Sequence, residues 1–314
     1  MAQTLDFVRR TARHRGMLVL TLVTLFSACD ASDKLTNTSD PADAPDTPGS
    51  TSTEISAATS FRGGIPMGHF ALPTSQFGTE YNGAMRNIWP GELVKELSAI
   101  RARGGKVVLM LAGNERHYKS GGKFDMNKWK QRVSRYRGTN FSSFINDGTV
   151  IAHYLIDEPN DPVNWGHPLS GATLEEMARY SKSIWPNLAT VTRAEASYLA
   201  KFSTQYRHLD AAWAQYVTRK GPPGDFIRRN VADAQKKGLA LITGLNITKG
   251  GHNNSRMSAS TIRSAGSTLL DSSYPCAFIS WTYEASYLSN SSVRDAMRTL
   301  RNMAQNRGTK SCRS

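Results

Sequence analysis

From about residue 65 onward, short apolar runs alternate with longer amphipathic segments. The apolar runs have the length of buried β-strands, and the segments between them have apolar residues at helical spacing. The clearest run, 106–113, follows a helical segment and the turn Gly104-Gly105. The pattern predicts strands over 65–72, 106–113, 149–157, 188–195, 209–216, 239–248 and 276–284. It predicts helices over 92–103, 125–137, 173–184, 198–206, 225–237, 258–270 and 291–306.

This alternation is typical of a parallel sheet, and roughly 250 residues is the usual size of a (β/α)8 barrel, the TIM barrel. Seven strands are visible, and we expect a degenerate eighth within residues 74–90. An open, doubly wound sheet is the competing architecture. No Gly-x-Gly-x-x-Gly follows the first strand and no Gly-Lys-Ser/Thr phosphate loop occurs, so nucleotide cofactors lose support and we expect no cofactor.

The N-terminal segment has a different composition from the rest of the chain. Residues 1–28 join four arginines to about a dozen apolar residues, the organisation of a secretory signal. The apolar run is too short for a membrane span, which needs about 20 residues. Its end, Leu25-Phe26-Ser27-Ala28-Cys29, resembles the lipobox of bacterial lipoproteins. The resemblance implies cleavage before Cys29 and a lipid anchor on it; ordinary signal-peptidase cleavage and an uncleaved anchor are the alternatives.

Residues 29–60 are mainly Ser, Thr, Asp, Pro and Ala, with Leu35 and Ile55 as the only large aliphatic side chains. This composition predicts a disordered, solvated tether. We therefore divide the chain into a signal peptide, 1–28, a tether, 29–60, and a barrel domain, 61–314. The lipoprotein resemblance places the protein at the bacterial cell envelope, anchored to the membrane through Cys29 and facing outside the cytoplasm, in the periplasm or at the cell surface.

Charge is distributed unevenly among these parts. The whole chain has 39 basic and 25 acidic residues, a formal charge of +14, whereas residues 61–314 have 34 basic and 18 acidic residues, or +16. The basic residues are dispersed over helices, which is usually a solvated face, and export argues against nucleic acid as a partner. An anionic polysaccharide or a lipid headgroup surface fits the charge better.

The three cysteines show no CxxC pair, and no His pair stands at zinc-finger spacing, so we predict no metal site. With Cys29 assigned to the lipid, Cys276 and Cys312 remain as a pair in an oxidising compartment. We expect a disulfide between them that holds the C-terminal tail at the lower rim of the barrel. Two free thiols are the alternative.

In a (β/α)8 barrel, chemistry is found where strands end and the following loops begin. Carboxylates, amides and aromatic side chains gather at these ends: Asn114, Glu115 and His117; Asp157 and Glu158; Arg193 and Glu195; Gln215 and Tyr216; Asn246; Trp281 and Glu284. Sugar hydrolysis needs such residues. One carboxylic acid protonates the leaving oxygen, a second carboxylate attacks or activates water, amides and Arg hold hydroxyls, and aromatic faces stack on the ring.

The strand that ends in Asp157-Glu158-Pro159 resembles the fourth strand of the large TIM-barrel glycoside hydrolase clan, which ends in Asn-Glu-Pro with the Glu as general acid/base. The final strand, Ala277-Phe-Ile-Ser-Trp281, resembles the clan's eighth strand, whose Trp forms the floor of the sugar subsite. The resemblance covers most of residues 61–314. It implies that Glu158 is the acid of a glycoside hydrolase and that Trp281 contacts the sugar.

Two positions depart from the clan pattern. Asp157 replaces the clan's Asn, and Asn246 stands where the clan has its nucleophilic Glu. No acidic residue occurs between Gly238 and Leu270, so a second carboxylate would come from Glu284 or Glu195. Strand alternation puts Asp157 on the same face as His153 and Leu155, which makes Asp157 another candidate for the lumen-facing acid.

The expected function is cleavage of a glycan by two-carboxylate acid/base chemistry. The catalytic candidates are Glu158, Asp157, Glu284 and Glu195. The substrate-binding candidates are Asn114, His117, Trp165, Arg193, Gln215, Tyr216, Asn246 and Trp281, with Trp165 expected to be the most exposed aromatic. A non-catalytic barrel that binds polysaccharide or cell-envelope material is the alternative. A third possibility is another chemistry on the same barrel, because fold does not fix function.

Overall fold

The computed structural model describes residues 63–314, so the predicted signal peptide, the tether and Cys29 lie outside the described residues. Eight parallel strands close into a barrel in chain order, with the last strand pairing with the first. They are β1 (Met67–Phe70), β2 (Gly83–Arg86), β3 (Lys106–Leu109), β4 (Val150–Asp157), β5 (Thr190–Arg193), β6 (Ala211–Tyr216), β7 (Ala240–Leu245) and β8 (Ala277–Ser280). This confirms the (β/α)8 prediction, and β2 is the strand expected within residues 74–90.

The helices lie between the strands in sequence. They are α1 (Leu93–Ala102), α2 (Met126–Ser134), α3 (Ser142–Asn146), α4 (Pro162–Trp165), α5 (Gly171–Ile184), α6 (Ala196–Ala200), α7 (Pro223–Lys236), α8 (Ala259–Asp271), α9 (Ala285–Leu288) and α10 (Ser291–Gln305). Short 3-10 turns cover Thr74–Gln76, Glu115–Tyr118, Thr218–Lys220 and His252–Asn254, and a small hairpin joins Lys119–Ser120 to Lys123–Phe124. In residues 63–314, no helix is long and apolar enough to cross a membrane.

The helix predicted over 198–206 is wrong in its extent, because α6 ends at Ala200. The ammonium group of Lys237 donates to the carbonyl oxygens of Phe202 and Thr204. These carbonyls are therefore satisfied by a side chain from the end of α7, and the backbone does not need to continue as a helix to bond them.

The core has two layers. Large side chains such as Phe70, Tyr154 and Trp213 fill the barrel lumen, with the ring centroids of Phe70 and Trp213 4.7 Å apart. A second, larger cluster packs between the strands and the surrounding helices. The lumen is thus a packed core, so a ligand site must lie at one end of the barrel.

Strand β4 has one extra residue near its end. Tyr154 pairs with Val191, but Asp157 pairs with Arg193, so three steps on β4 match two steps on β5. This bulge reverses the alternation. His153 and Leu155 face the helices, where His153 stacks on Trp129 with centroids 6.0 Å apart.

The prediction that Asp157 shares a face with His153 and Leu155 is therefore wrong. Beyond the bulge, Asp157 instead follows the lumen side of Tyr154. The extra residue brings Asp157 and Arg193 together at the carboxyl end of the barrel, which is the end that carries chemistry in this fold.

The C-terminal tail covers the opposite end of the barrel. Cys276, just before β8, is bonded to Cys312, and their Cα atoms are 5.3 Å apart, as predicted for this pair. The tail, the starts of β3 and β4, and the segment before β1 surround a cavity of about 290 Å³. Ile65 N–H also donates to the carbonyl oxygen of Ala304 at 3.0 Å. Both ends of the described chain thus lie at the amino-terminal face of the strands.

Candidate active site

A cavity of about 440 Å³ opens over the carboxyl ends of β4 to β7. Five residues predicted from the sequence line it: Glu158, Arg193, Glu195, Gln215 and Asn246. Parallel strands bring these positions together because their carboxyl ends meet at one rim. Basic side chains complete much of the wall, namely Lys201, Arg219 and Lys220.

Arg193 is the centre of the polar contacts in this cavity. Its Nε donates to Asp157 Oδ1, its Nη1 donates to Gln215 Oε1 at 2.9 Å, and its Nη2 lies 3.3 Å from Glu158 Oε1. Burial lowers the pKa of Arg193, but the carboxylates of Asp157 and Glu158 outweigh it and raise the pKa well above its ordinary value. The guanidinium therefore remains charged and fixes two carboxylates at the mouth of the cavity.

Glu158 is the more exposed of these two carboxylates, with 55% of its side chain accessible against 22% for Asp157. Its backbone is in the left-handed region, with φ at 35°, which is uncommon for a residue other than Gly. The conformation is held by hydrogen bonds on both sides, since Glu158 N–H donates to Arg193 O and Glu158 O accepts from Asp161 N–H. The bend turns the Glu158 carboxylate toward the cavity instead of along the strand.

Glu115 lies beside this group, at the start of the 3-10 turn after β3. Its Oε2 accepts a hydrogen bond of 2.6 Å from Asn164 Nδ2. Burial and, second to it, the nearby Asp157 carboxylate raise the pKa of Glu115 from 4.5 to about 7, against the opposing effects of Asn164, Lys119 and Arg193. Glu115 therefore keeps its proton up to about neutral pH. Glu115 is partly buried and Glu158 is exposed. Carboxyl groups in such different environments can take separate roles, one as acid and the other as base.

The sequence placed Glu115 at a strand end but did not single it out as catalytic. Its raised pKa depends on burial in the folded chain and on Asp157, and its hydrogen-bond partner Asn164 lies 49 residues later in the chain. The signal that was available is its position, directly at the rim after β3.

The loop that carries Trp165 contacts the backbone of the acidic residues Asp157 and Glu158. The Trp165 side chain is fully buried, so its expected exposure is wrong. Its Nε1 donates to the carbonyl oxygens of Asp157 and Glu158 at 3.0 and 3.1 Å, and its ring stacks on Tyr118 at 5.8 Å. A buried indole needs an acceptor for its N–H, and here that acceptor is the backbone of the acidic loop.

Two further catalytic candidates are held in ion pairs. Glu195 Oε1 lies 2.7 Å from Lys220 Nζ within the cavity. Glu284 pairs with Arg256 on the loop before α8, and Glu284 does not line the cavity. The structure therefore brings Glu195 to the site and leaves Glu284 apart from it.

The other polar candidates mostly bond to nearby backbone. Asn246 Oδ1 accepts from Lys249 N–H at 2.9 Å, and the Tyr216 hydroxyl donates to Gly221 O at 2.7 Å. Tyr216 is buried and packs on Phe226, which is a structural position. Asn114 caps the turn after β3 by accepting from Arg116 N–H, and His117 is exposed on the same turn.

Trp281 is partly buried at the end of β8, where its peptide bond to Thr282 is cis. Its ring packs on Phe70 at 4.8 Å and lies 5.3 Å from the guanidinium carbon of Arg193. Trp281 therefore forms part of the floor next to the carboxylates. Within residues 63–314, no group of three or more His, Cys, Asp and Glu side chains is arranged to hold a metal ion.

No family profile and no curated protein matches the sequence. A solved structure from Parabacteroides distasonis ATCC 8503, described as a candidate glycoside hydrolase, is similar with a TM-score of 0.53 at 10% identity, over 79% of this chain and 96% of that one. A GH10 xylanase from Thermobacillus composti has a TM-score of 0.48 at 10% identity, over 76% of this chain and 97% of that one.

A GH18 chitinase from Pseudoalteromonas aurantia has a TM-score of 0.47 at 12% identity, over 76% of this chain and 99% of that one. The Parabacteroides distasonis protein shares the barrel fold with this chain, and at 10% identity the similarity shows the fold alone.

Proposed function

We propose that this protein hydrolyses a glycan by acid/base chemistry between Glu115 and Glu158. The observation that carries the proposal is the pKa of Glu115, raised to about 7 by burial and by Asp157, next to a cavity that contains a second, exposed carboxylate. Strongly shifted carboxyl groups at a barrel rim are typical of catalytic sites.

Each step can be assigned to a residue. Glu115 donates its proton to the glycosidic oxygen as the bond from that oxygen to the anomeric carbon breaks. A water molecule attacks the anomeric carbon and gives its proton to Glu158, which Arg193 positions at 3.3 Å. Asp157 holds Arg193 and favours the protonated form of Glu115.

This assignment gives Glu158 the role of base, whereas the clan resemblance implied that it is the acid. The raised pKa of Glu115 makes that residue the better proton donor near neutral pH. No carboxylate stands at the end of β7, where Asn246 is found. We therefore expect a single displacement, which inverts the anomeric configuration.

The test uses the full chain on a panel of neutral and acidic glycans, with Glu115→Gln and Glu158→Gln compared with the parent. Each substitution should lower kcat/KM by about 10² to 10⁴, the usual contribution of a general acid or base. Glu176→Gln is the matched control, because Glu176 is also ion-paired, at 2.6 Å to Lys130, but lies on α5 away from the rim. Hydrolysis that survives unchanged in both site variants would contradict the assignment of Glu115 as acid and Glu158 as base.

A non-catalytic glycan-binding barrel is the second candidate. It is favoured by Asn246, whose side chain is committed to the backbone at Lys249, and by the ion pair that engages Glu195. In that case, the parent and both Gln variants should bind the same glycan with similar affinity, and none should release reducing ends.

We also propose that the protein is exported and anchored by a lipid on Cys29. The basic and apolar run before Cys29 supports this, as does the paired state of Cys276 and Cys312, which suits an oxidising compartment. Metabolic labelling with a radioactive fatty acid in a bacterial host should mark the parent and not Cys29→Ser. Equal labelling of the parent and Cys29→Ser would show that the lipid is not attached to Cys29.

A further inference from the structure

Two arginines and an exposed tryptophan meet beside the acids, on the side away from the cavity. Trp89, which follows β2, is 53% exposed, although it is a large apolar residue. The guanidinium carbon of Arg135 lies 4.9 Å from the Trp89 ring centroid, and that of Arg132 lies 5.6 Å from it. We refer to Trp89, Arg132 and Arg135 as the platform.

The backbone holds both arginines through their Nε groups, and it also accepts a hydrogen bond from one outer nitrogen, since Arg135 Nη2 donates to Leu111 O at 3.4 Å. Arg132 Nε donates to Ala112 O at 3.0 Å, and Arg135 Nε donates to Arg132 O at 2.9 Å. The outer nitrogens converge on one point beside Gly113. A Cβ built there would lie 3.1 Å from Arg132 Nη2, 3.7 Å from Asn87 Nδ2 and 3.8 Å from Arg135 Nη2. Three donor nitrogens thus lie around a small region, and one of them, Arg135 Nη2, is shared with Leu111 O.

The positive charge of the platform is not balanced by a carboxylate in the described part of the chain. Neither Arg132 nor Arg135 has an Asp or Glu oxygen within 4.0 Å among residues 63–314. Burial lowers the pKa of Arg132, and the neighbouring charge of Arg135 lowers it further. The pKa of His117 is lowered by burial and then by Arg132, Arg116 and Arg135. Like charges held this close repel, and a bound anion would offset the repulsion.

The platform and the cavity flank the acids on opposite sides. The platform follows β2 and β3, and Glu115 stands on the turn after β3. The cavity lies over β4 to β7, with Glu158 at its edge. Because the strands are arranged around the barrel in chain order, a glycan that crosses the rim meets Glu115 and Glu158 between these two surfaces.

We propose that the platform binds an acidic sugar residue of the glycan, one whose ring carries a carboxylate or a sulfate. The free part of the Trp89 ring contacts the sugar, and the oxyanion accepts hydrogen bonds from Arg132 and Arg135. Planar guanidinium groups match both oxyanions with paired hydrogen bonds. This inference rests on the proposed function and names its substrate class.

The test measures binding by the full chain carrying Glu115→Gln, so that turnover does not interfere. The probes are oligogalacturonate with its carboxyl-reduced form, and sulfated dextran with unmodified dextran. We expect at least one acidic probe to bind more tightly than its neutral counterpart, and the two pairs distinguish carboxylate from sulfate. Adding Arg132→Gln with Arg135→Gln should weaken binding of that acidic probe by about tenfold or more and leave neutral binding unchanged.

The matched control is Arg263→Gln with Arg294→Gln, which removes the same charge from exposed positions on α8 and α10. Trp89→Ala provides a second variant at an exposed side chain. It should weaken binding of the acidic probe without lowering Tm. Equal losses in the platform and control variants would overturn the inference, as would a Glu115→Gln chain that binds neither acidic probe more tightly than its neutral form. Binding that depends on the platform, together with no hydrolysis of any glycan of the panel by the unsubstituted chain, would instead reject the catalytic proposal alone.

Discussion

Burial and the neighbouring carboxylate of Asp157 raise the pKa of Glu115 from 4.5 to about 7, and this has a consequence for stability. Between these two pKa values the folded chain keeps the Glu115 proton while the unfolded chain has lost it. The free energy of unfolding therefore falls as pH rises from about 4.5 to about 7 and then levels off. Glu115→Gln removes this dependence, so the variant should match the parent at acidic pH and exceed it by up to about 3 kcal/mol above pH 7.

Urea unfolding at a series of pH values measures this difference directly. Glu176 supplies a control of opposite sign, because hydrogen bonds from Arg179 lower the pKa of Glu176 to about 2. Its stabilising contribution is present above the unfolded pKa and is lost as pH falls toward 2. Glu176→Gln should therefore lose stability at neutral pH. A parent and Glu115→Gln variant whose stabilities stay parallel from pH 4 to pH 8 would contradict the raised pKa.

Individual residues differed in how far the sequence could predict them. Glu158, Arg193 and Gln215 were predicted to share a site because each follows a strand in the repeating pattern, and the structure brings them to one cavity. The exposure of Trp165 was predicted wrongly, since an indole at a loop position either stacks on a ligand or donates to buried carbonyl groups. That choice depends on where Tyr118 and the β4 backbone lie, which no local pattern records.

At the scale of the element, β4 shows what alternation misses. A strand prediction assumes that side chains alternate without interruption, and a single extra residue between Tyr154 and Asp157 reverses every position after it. Strand β2 was hard to see for a different reason. Its four residues, Gly-Ala-Met-Arg, have low β propensity, and pairing with β1 and β3 holds them in place.

The pairing of β1 with β2 depends on glycine at the point of closest approach. Gly68 and Gly83 are partners in the register, and a Cβ on Gly68 would lie 1.9 Å from the carbonyl oxygen of Gly83. Because that neighbour is backbone, it cannot move aside without opening the barrel. Gly68→Ala should therefore lower the free energy of unfolding by about 3 kcal/mol or more.

Chemical denaturation of Gly68→Ala beside Gly91→Ala tests this expectation. A Cβ on Gly91 meets no atom within 4 Å, so that variant should stay within about 0.5 kcal/mol of the parent. Equal stability of the two variants would show that β1 and β2 can separate without loss.

For the whole molecule, the bond between Cys276 and Cys312 ties the tail to the barrel across 36 residues of sequence. Closing a loop of this length restricts the unfolded chain, which corresponds to about 2–4 kcal/mol of stability. Cys312→Ala should lower Tm under oxidising conditions, and a reducing agent should lower the Tm of the parent to that of the variant. A reductant that leaves the parent unchanged would show that the bond contributes nothing to stability.

The fold itself was predictable from the sequence because its signals repeat around the barrel. Seven strands and the helices between them were each visible, and the parallel order followed from their alternation. The candidate site was only partly predictable. Its positions follow from the strand ends, whereas the proton on Glu115 and the convergence of Arg132 and Arg135 near Gly113 arise from segments that meet only in the folded chain.

Both ends of the described chain lie at the amino-terminal face of the barrel, where Ile65 bonds to Ala304 and Cys312 bonds to Cys276. The acids, the cavity and the platform all lie at the opposite face. A bead, an electrode or a fusion partner can therefore be attached at either end of residues 63–314 without standing in front of the site. For an immobilised form of this protein, the choice of terminus should not limit how large a soluble polymer can reach Glu115 and Glu158.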